Sequence, residues 1–244
     1  MFLLARSITS VWAQRKADDP TEAGFTAPSK STGSDERKSN VTPRRITVFK
    51  IIREDYQGAA LSYPSKLFVD PVKREIYITD SGHSRILVYT HDFYPLLSID
   101  KTDGIEAPVG LAVDRKGYLF IAQSPGKKHP KPRISLFDPS LKWKRDIFFS
   151  GFKGAKDFRP KIIAISRAGA LYVAGNGYAG VVVLDKEGEF SHILSPTDRL
   201  GKGEKQKATI CDVEIDINGR IYLLSEDMGR IYVYNNKEDF LFKF

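Results

Sequence analysis

Ile76–Tyr89 reads IYITDSGHSRILVY and Ile221–Tyr234 reads IYLLSEDMGRIYVY. The two stretches lie far apart in the chain, yet each is an apolar alternating run, a polar turn, then Arg-Ile and a second alternating run. Alternation of this kind is the mark of a half-buried strand. Recurrence at a fixed spacing is the mark of a repeat architecture, so the search moves outward from these two anchors.

Four segments align: Pro64–Asp100, Pro108–Phe149, Pro160–Leu194 and Cys211–Phe244. Asp114, Ser166 and Asp216 each stand six residues before an aromatic (Phe120, Tyr172, Tyr222), with Gly117, Gly169 and Gly219 three residues on. This predicts a strand, a tight turn that needs positive φ at glycine, and a second strand. The first segment differs slightly: Asp70 is seven residues from Tyr77, and Lys73-Arg74 replaces the glycine turn. Eight residues after Tyr77 and Tyr222 come Arg85 and Arg230; the third segment has Gly180 there, and the second resumes at Arg133 after an insert. Tyr89, Phe137, Leu184 and Tyr234 then match, and each unit closes on a fourth apolar run.

Each unit therefore predicts four short strands. Such a sheet cannot bury both faces alone, and radial stacking covers each with its neighbour. The expected fold is all-β: a β-propeller of four-stranded antiparallel blades, in units of about 59–100, 104–149, 156–194 and 207–244. The pattern Pro-x-x-hydrophobic-x-hydrophobic-Asp, Gly-x-hydrophobic-aromatic, then (Asp/Glu)-x-x-x-Arg-Ile-x-hydrophobic-aromatic resembles the NHL repeat. The resemblance covers about residues 59–244. It implies a six-bladed propeller of a bacterial kind, more blades than this sequence supplies. An orphan strand is expected at Arg45–Ile52 (RITVFKII), and the apolar run FLFKF at Phe240–Phe244 would leave an uncapped edge. Together these suggest a chain truncated at its C-terminus and lacking about two blades; a closed four-bladed ring and completion by a second chain are the alternatives.

The composition fits this reading. The chain has 244 residues, 41% hydrophobic and 28% charged, with net charge +8 and pI about 9.4. No run of about 18 apolar residues exists to cross a bilayer as a helix. A single cysteine, Cys211, excludes an intramolecular disulfide or multi-thiolate metal site; it reads as a small buried residue at the start of an inner strand rather than a nucleophile. Met1–Ala13 is short and apolar and ends Val11-Trp12-Ala13, with the small residues a signal peptidase wants; it reads as the remnant of a signal-like segment. Gln14–Arg44 is polar and of mixed charge, so it reads as a disordered linker ahead of a propeller domain spanning 45–244. An exported protein, periplasmic or at the cell surface, is the expectation.

Candidate chemistry is sparse. His83, His91, His129 and His192 show no metal-ligand spacing, though His83 and His129 fall in equivalent loops. Asp70, Asp114 and Asp216 read as turn residues that accept backbone N–H bonds. A lactonase-type channel metal needs several converging oxygen ligands; Asn176 and Glu226 are available, but nothing gathers a set. No phosphate-cradle, nucleophile-elbow or zinc-protease motif occurs. No catalytic residue, metal site or cofactor is assigned.

The loops carry the remaining signal. Second-to-third-strand loops and blade-to-blade connections share one face of a propeller. On this chain they hold eleven basic against seven acidic residues. The densest stretch is the insert Gly126–Arg133, GKKHPKPR. Lys127, Lys128, Lys131, Arg133, Lys153, Lys156 and Arg159 are the candidate binding residues, with another protein or an acidic polymer as the partner. Nucleic acid is not the expected partner, because the face is lysine-rich and Tyr178 is its only plain aromatic. The leading expectation is a non-catalytic scaffold. The alternatives are a metal-dependent lactonase-like or lyase-like enzyme and an RNA-binding domain.

Overall fold

The computed structural model describes residues 48–199, 201 and 203–244. The signal-like segment, the linker and Arg45–Thr47 of the expected orphan strand lie outside the described residues. The chain divides into two units between Arg53 and Glu54. In the first, Val48–Ile52 forms no strand, which corrects that part of the orphan-strand expectation. The physical reason is that every blade already supplies its own four strands.

The second unit is a β-propeller of four four-stranded antiparallel blades. Blade 1 holds β1 (Pro64–Val69), β2 (Glu75–Asp80), β3 (Arg85–Thr90) and β4 (Pro95–Ile99). Blade 2 holds β5 (Pro108–Val113), β6 (Leu119–Gln123), β7 (Arg133–Phe137) and β8 (Trp143–Phe148). Blade 3 holds β9 (Pro160–Ile165), β10 (Leu171–Gly175), β11 (Val181–Leu184) and β12 (Phe190–Leu194). A small hairpin, β13 (Thr197–Arg199) and β14 (Lys205–Lys207), precedes blade 4. Blade 4 holds β15 (Ile210–Ile215), β16 (Ile221–Ser225), β17 (Arg230–Tyr234) and β18 (Phe240–Lys243). Strands pair in sequence order within each blade, so every hairpin is local.

The predicted turns form as the residue types require. Gly117, Gly169 and Gly219 have φ of 86°, 90° and 82°, and Arg74 takes the same left-handed role in blade 1 at 58°. The Asp114 carboxylate accepts from Lys116 and Tyr118 N–H, and that of Asp216 from Asn218 and Arg220 N–H. A second turn series joins the third and fourth strands. There Asp138, Asp185 and Asn235 accept two backbone N–H bonds each, with Leu141, Gly188 and Glu238 in the left-handed region.

Three apolar cores lie between consecutive blades. Tyr77, Ile86 and Val88 of blade 1 meet Leu111, Leu119, Ile121 and Phe137 of blade 2. Phe120, Ala122 and Ile134 of blade 2 meet Ile163, Leu171 and Val173 of blade 3. Tyr172, Ala174 and Val183 of blade 3 meet Val213, Leu223 and Tyr232 of blade 4. The segment entering each blade drops one side chain into the seam: Ile105, Phe158 and Ala208. Among the described residues no core joins blade 4 to blade 1. The forward face of blade 4 is open accordingly. Ile99, Ile147 and Leu194 are buried, yet Phe244, which bonds to Ile231 at the matching register position, is 65% exposed.

Candidate functional site

Loops joining second to third strands, and segments entering each blade, crowd one end of the sheets. The repeat arginines organise that end. Each starts a third strand and reaches back to the entering segment. Arg85 Nη1 donates to Asp55 Oδ2 at 2.6 Å and its Nε to Asp80 Oδ2 at 2.8 Å. Arg133 Nη2 donates to the Gly104 carbonyl at 3.1 Å. Arg230 Nη1 donates to Asp198 Oδ2, on the small hairpin, at 2.5 Å. Asp198 also receives Lys243 Nζ and the Tyr232 hydroxyl. The Lys243 ammonium leads in holding the Asp198 carboxyl below the usual aspartate range, with Arg230 and Tyr232 adding to it.

Blade 3 has Gly180 in place of arginine, and aromatic packing replaces the ion pair. Phe158 of the entering segment stacks edge-on against Phe149, Phe152 and Tyr178, with ring centroids 4.8–5.6 Å apart. A Cβ on Gly175 would lie 2.4 Å from the Phe158 ring, so glycine makes room for the plug.

The lysine-rich insert has a defined anchor that its own sequence does not show. Glu106, on the segment entering blade 2, accepts Lys128 N–H at Oε1 (2.8 Å) and His129 N–H at Oε2 (3.0 Å). Gly126 N–H closes the loop on the His129 carbonyl at 2.8 Å. A Cβ on Gly126 would meet the Glu106 carboxyl at 2.3–2.5 Å, so glycine lets the carboxylate sit this close. The Lys128 backbone N–H leads in lowering the Glu106 carboxyl to about 2, with the His129 and Lys127 N–H groups adding to it. A carboxylate nested in backbone donors holds the loop in one shape.

The clasp consumes backbone groups and leaves the side chains out. Lys127, Lys128 and Lys131 are exposed, and among the described residues none has a carboxylate partner. Lys153 and Lys156 are exposed at the same end of blade 3, and Arg159 is half-buried. Arg133 does not join this surface. It is 1% exposed, directed inward by Gly104, Gln123 and Asp146, because it begins a strand rather than ending the loop. It serves as a repeat position, the second role expected of it.

Two histidines of this end are held by carboxylates. His83 Nδ1 lies 2.9 Å from the fully buried Asp80, and His129 Nδ1 lies 3.3 Å from Glu106. A 3-10 turn, Lys101–Asp103, runs between hollows of about 320 Å³ and 370 Å³. The first is lined by Ala59, His83, Arg85, Asp100, Lys101 and Thr102. Cys211 is half-buried and its thiol is pushed up, chiefly by burial. Among the described residues no three His, Cys, Asp or Glu side chains come together to hold a metal ion, and no helix is long and apolar enough to cross a membrane.

No family model matches the sequence, and no curated protein matches it. Solved structures do. A catalytically inactive histidine-to-alanine variant of virginiamycin B lyase from Staphylococcus aureus, with quinupristin, aligns with a TM-score of 0.53 at 12% identity. The alignment covers 75% of this chain and 55% of that one. The selenomethionine form of the same lyase gives 0.51 at 13%, covering 73% and 54%. A nidogen/laminin complex gives 0.52 at 14%, covering 76% and 64%. The chain thus spans a little over half the length of the lyase and just under two thirds of the nidogen/laminin structure. One neighbour is an enzyme and another a binding complex, so what the likeness shows is the β-propeller fold.

Proposed function

We propose that this chain is a binding scaffold whose contact element is the clasped loop Gly126–Lys131, and that its partner is an acidic protein or polymer. We read the repeats as NHL-type, with the arginine of the first, second and fourth units as the residue that fastens the entering segment. The observation that carries the functional reading is the Glu106 clasp. It spends backbone donors on an internal carboxylate and leaves three lysine ammonium groups unpaired on a rigid loop. A preformed cationic loop loses little entropy on meeting an acidic partner.

The test uses poly-L-glutamate as probe, with the full chain and a variant carrying Lys127→Glu, Lys128→Glu and Lys131→Glu. Three exposed charge contacts at about 0.2–1 kcal/mol each predict a loss of roughly 3- to 150-fold at low salt. The melting temperature is expected to change little, because these side chains are exposed and form no ion pair among the described residues. Equal binding by both forms would remove the loop as the contact.

A lyase-like enzyme is the second reading. It is favoured by the Asp80-held His83 beside the hollow of about 320 Å³, since a carboxylate on Nδ1 orients imidazole so that Nε2 can take a proton. Mass spectrometry of quinupristin incubated with wild type and His83→Ala tests it. Histidine-dependent conversion would support the enzyme, and no conversion by wild type would leave the scaffold.

A further inference from the structure

Blade 2 contains a buried polar chain that no other blade repeats. Gln123, Arg133 and Ser135 are at most 1% exposed. Gln123 Nε2 donates to Ser135 Oγ at 2.6 Å, and Ser135 Oγ donates to Asp146 Oδ1 at 2.6 Å. Gln123 Oε1 receives Glu106 N–H and Arg133 Nη2. The register positions of Gln123 and Ser135 are Asp80 and Leu87 in blade 1, Gly175 and Val182 in blade 3, and Ser225 and Tyr232 in blade 4. Burying such a network is costly against an apolar core, and Arg133 Nη1 is left without a partner. Blades 1 and 4 also bury a polar side chain at the Gln123 position, Asp80 with Arg85 and Ser225 with Asp227, but neither continues it to a carboxylate on the fourth strand as blade 2 does.

The chain of bonds ends at a surface hollow of about 370 Å³, lined by Thr102, Asp103, Gly104, His129, Trp143 and Asp146. Trp143 is 55% exposed, and its indole N–H is fixed on Asp146 Oδ1 at 3.2 Å. Asp146 Oδ1 therefore carries two donors, whereas Oδ2 faces only Arg133 Nε at 3.3 Å and retains room for another. His129 is bound through Nδ1, which leaves Nε2 for a ligand.

We propose that this hollow binds a neutral sugar unit, stacked on Trp143 and hydrogen-bonded through its hydroxyls to Asp146 Oδ2 and His129 Nε2. A pyranose has an apolar C–H face for an aromatic ring and a polar rim for acceptors and donors. Arg133 already compensates Asp146, and Asp103, the other carboxylate of the lining, turns Oδ2 to the Asp100 N–H, so a cation is the competing occupant that the tetramethylammonium arm tests. The size falls at the lower end of ligand pockets, as a small saccharide requires. The buried chain is the support that keeps Asp146 and the indole in place when the site is empty.

The test uses the full chain with Trp12→Phe, which makes Trp143 its sole tryptophan. Its emission is titrated with cellobiose, maltose and N,N′-diacetylchitobiose, with tetramethylammonium chloride as the cationic arm. The expected result is a saturable shift with at least one disaccharide, at a Kd on the order of 1 mM. Asp146→Asn weakens it about tenfold or more. Calorimetry on Trp143→Ala, whose exposed position leaves folding intact, shows the same loss. The variant with Lys127→Glu, Lys128→Glu and Lys131→Glu keeps sugar binding, so this inference and the loop reading fail separately. No saturable response to any of the three sugars, or a response to tetramethylammonium alone, would overturn it.

Discussion

Gly110→Ala is a one-carbon change that probes how blades 2 and 3 meet. Gly110 lies on inner strand β5, and a Cβ built there would stand 2.1 Å from the Lys161 carbonyl oxygen and 3.1 Å from its carbon, both on inner strand β9. Both atoms are backbone, so no rotamer change relieves the clash. The strands must part by about 1 Å to restore ordinary contact. That displacement opens the seam containing Ala112, Ile163, Leu171 and Val173, all buried. Overpacking of this kind costs about 1–3 kcal/mol, and the lower chain entropy of alanine over glycine returns about 0.4–1 kcal/mol. The net loss ranges up to about 2.6 kcal/mol and centres on about 1.3 kcal/mol, which for a domain of this size lowers the Tm by about 3–5 °C. Thermal melts followed by circular dichroism measure it. Gly177→Asn, at φ 62° with open space around it, is the control and is expected to change stability by less than about 0.5 kcal/mol. A Tm for Gly110→Ala at or above wild type would refute the close approach of β5 and β9.

Gly219→Val destabilises blade 4, because valine resists a φ of 82° and its Cβ would lie 3.2 Å from that of Asn236; an unchanged melt would count against the turn. Asp198→Asn leaves Arg230 and Lys243 without their carboxylate and costs about 1–3 kcal/mol by denaturant titration. The same carboxylate gives a pH signature. Its pKa is lower folded than unfolded, so the stabilisation is complete above the ordinary value of 3.8 and fades as pH falls below it. The gap between wild type and Asp198→Asn should therefore be constant from pH 7 to about 5 and shrink only in stronger acid. A gap that vanishes at pH 5 would place the pair outside the folded structure.

The parts legible in the sequence are those set by local chemistry. Asp114 and Gly117 announce their turn because an oxygen acceptor and a left-handed residue must stand three apart whatever surrounds them. The second turn series was hidden because Leu141 and Glu238 take left-handed φ where glycine would have been the signal. Arg133 was misplaced because it adjoins three lysines in sequence, whereas the strand register turns it into the blade. The clasp lay beyond reach for a different reason. Glu106 and Lys128 are 22 positions apart, and only folding of the connection over the loop brings them together. The same holds for Trp143, at the start of β8, and Thr102, on the connection between blades 1 and 2, which meet at one hollow.

The clasp is the central claim, and Glu106→Gln tests it most directly. The substitution removes a negative charge beside the loop, so charge alone would strengthen binding of an acidic partner. It also removes the carboxylate that holds Lys128 and His129 N–H, so a loop that depends on its shape would bind more weakly. Isothermal titration of wild type and Glu106→Gln with poly-L-glutamate at one salt concentration separates the two. Weaker binding by Glu106→Gln, with a less favourable entropy, is the predicted result. Equal or tighter binding would show that the lysines act by charge alone and that the clasp plays no part in recognition.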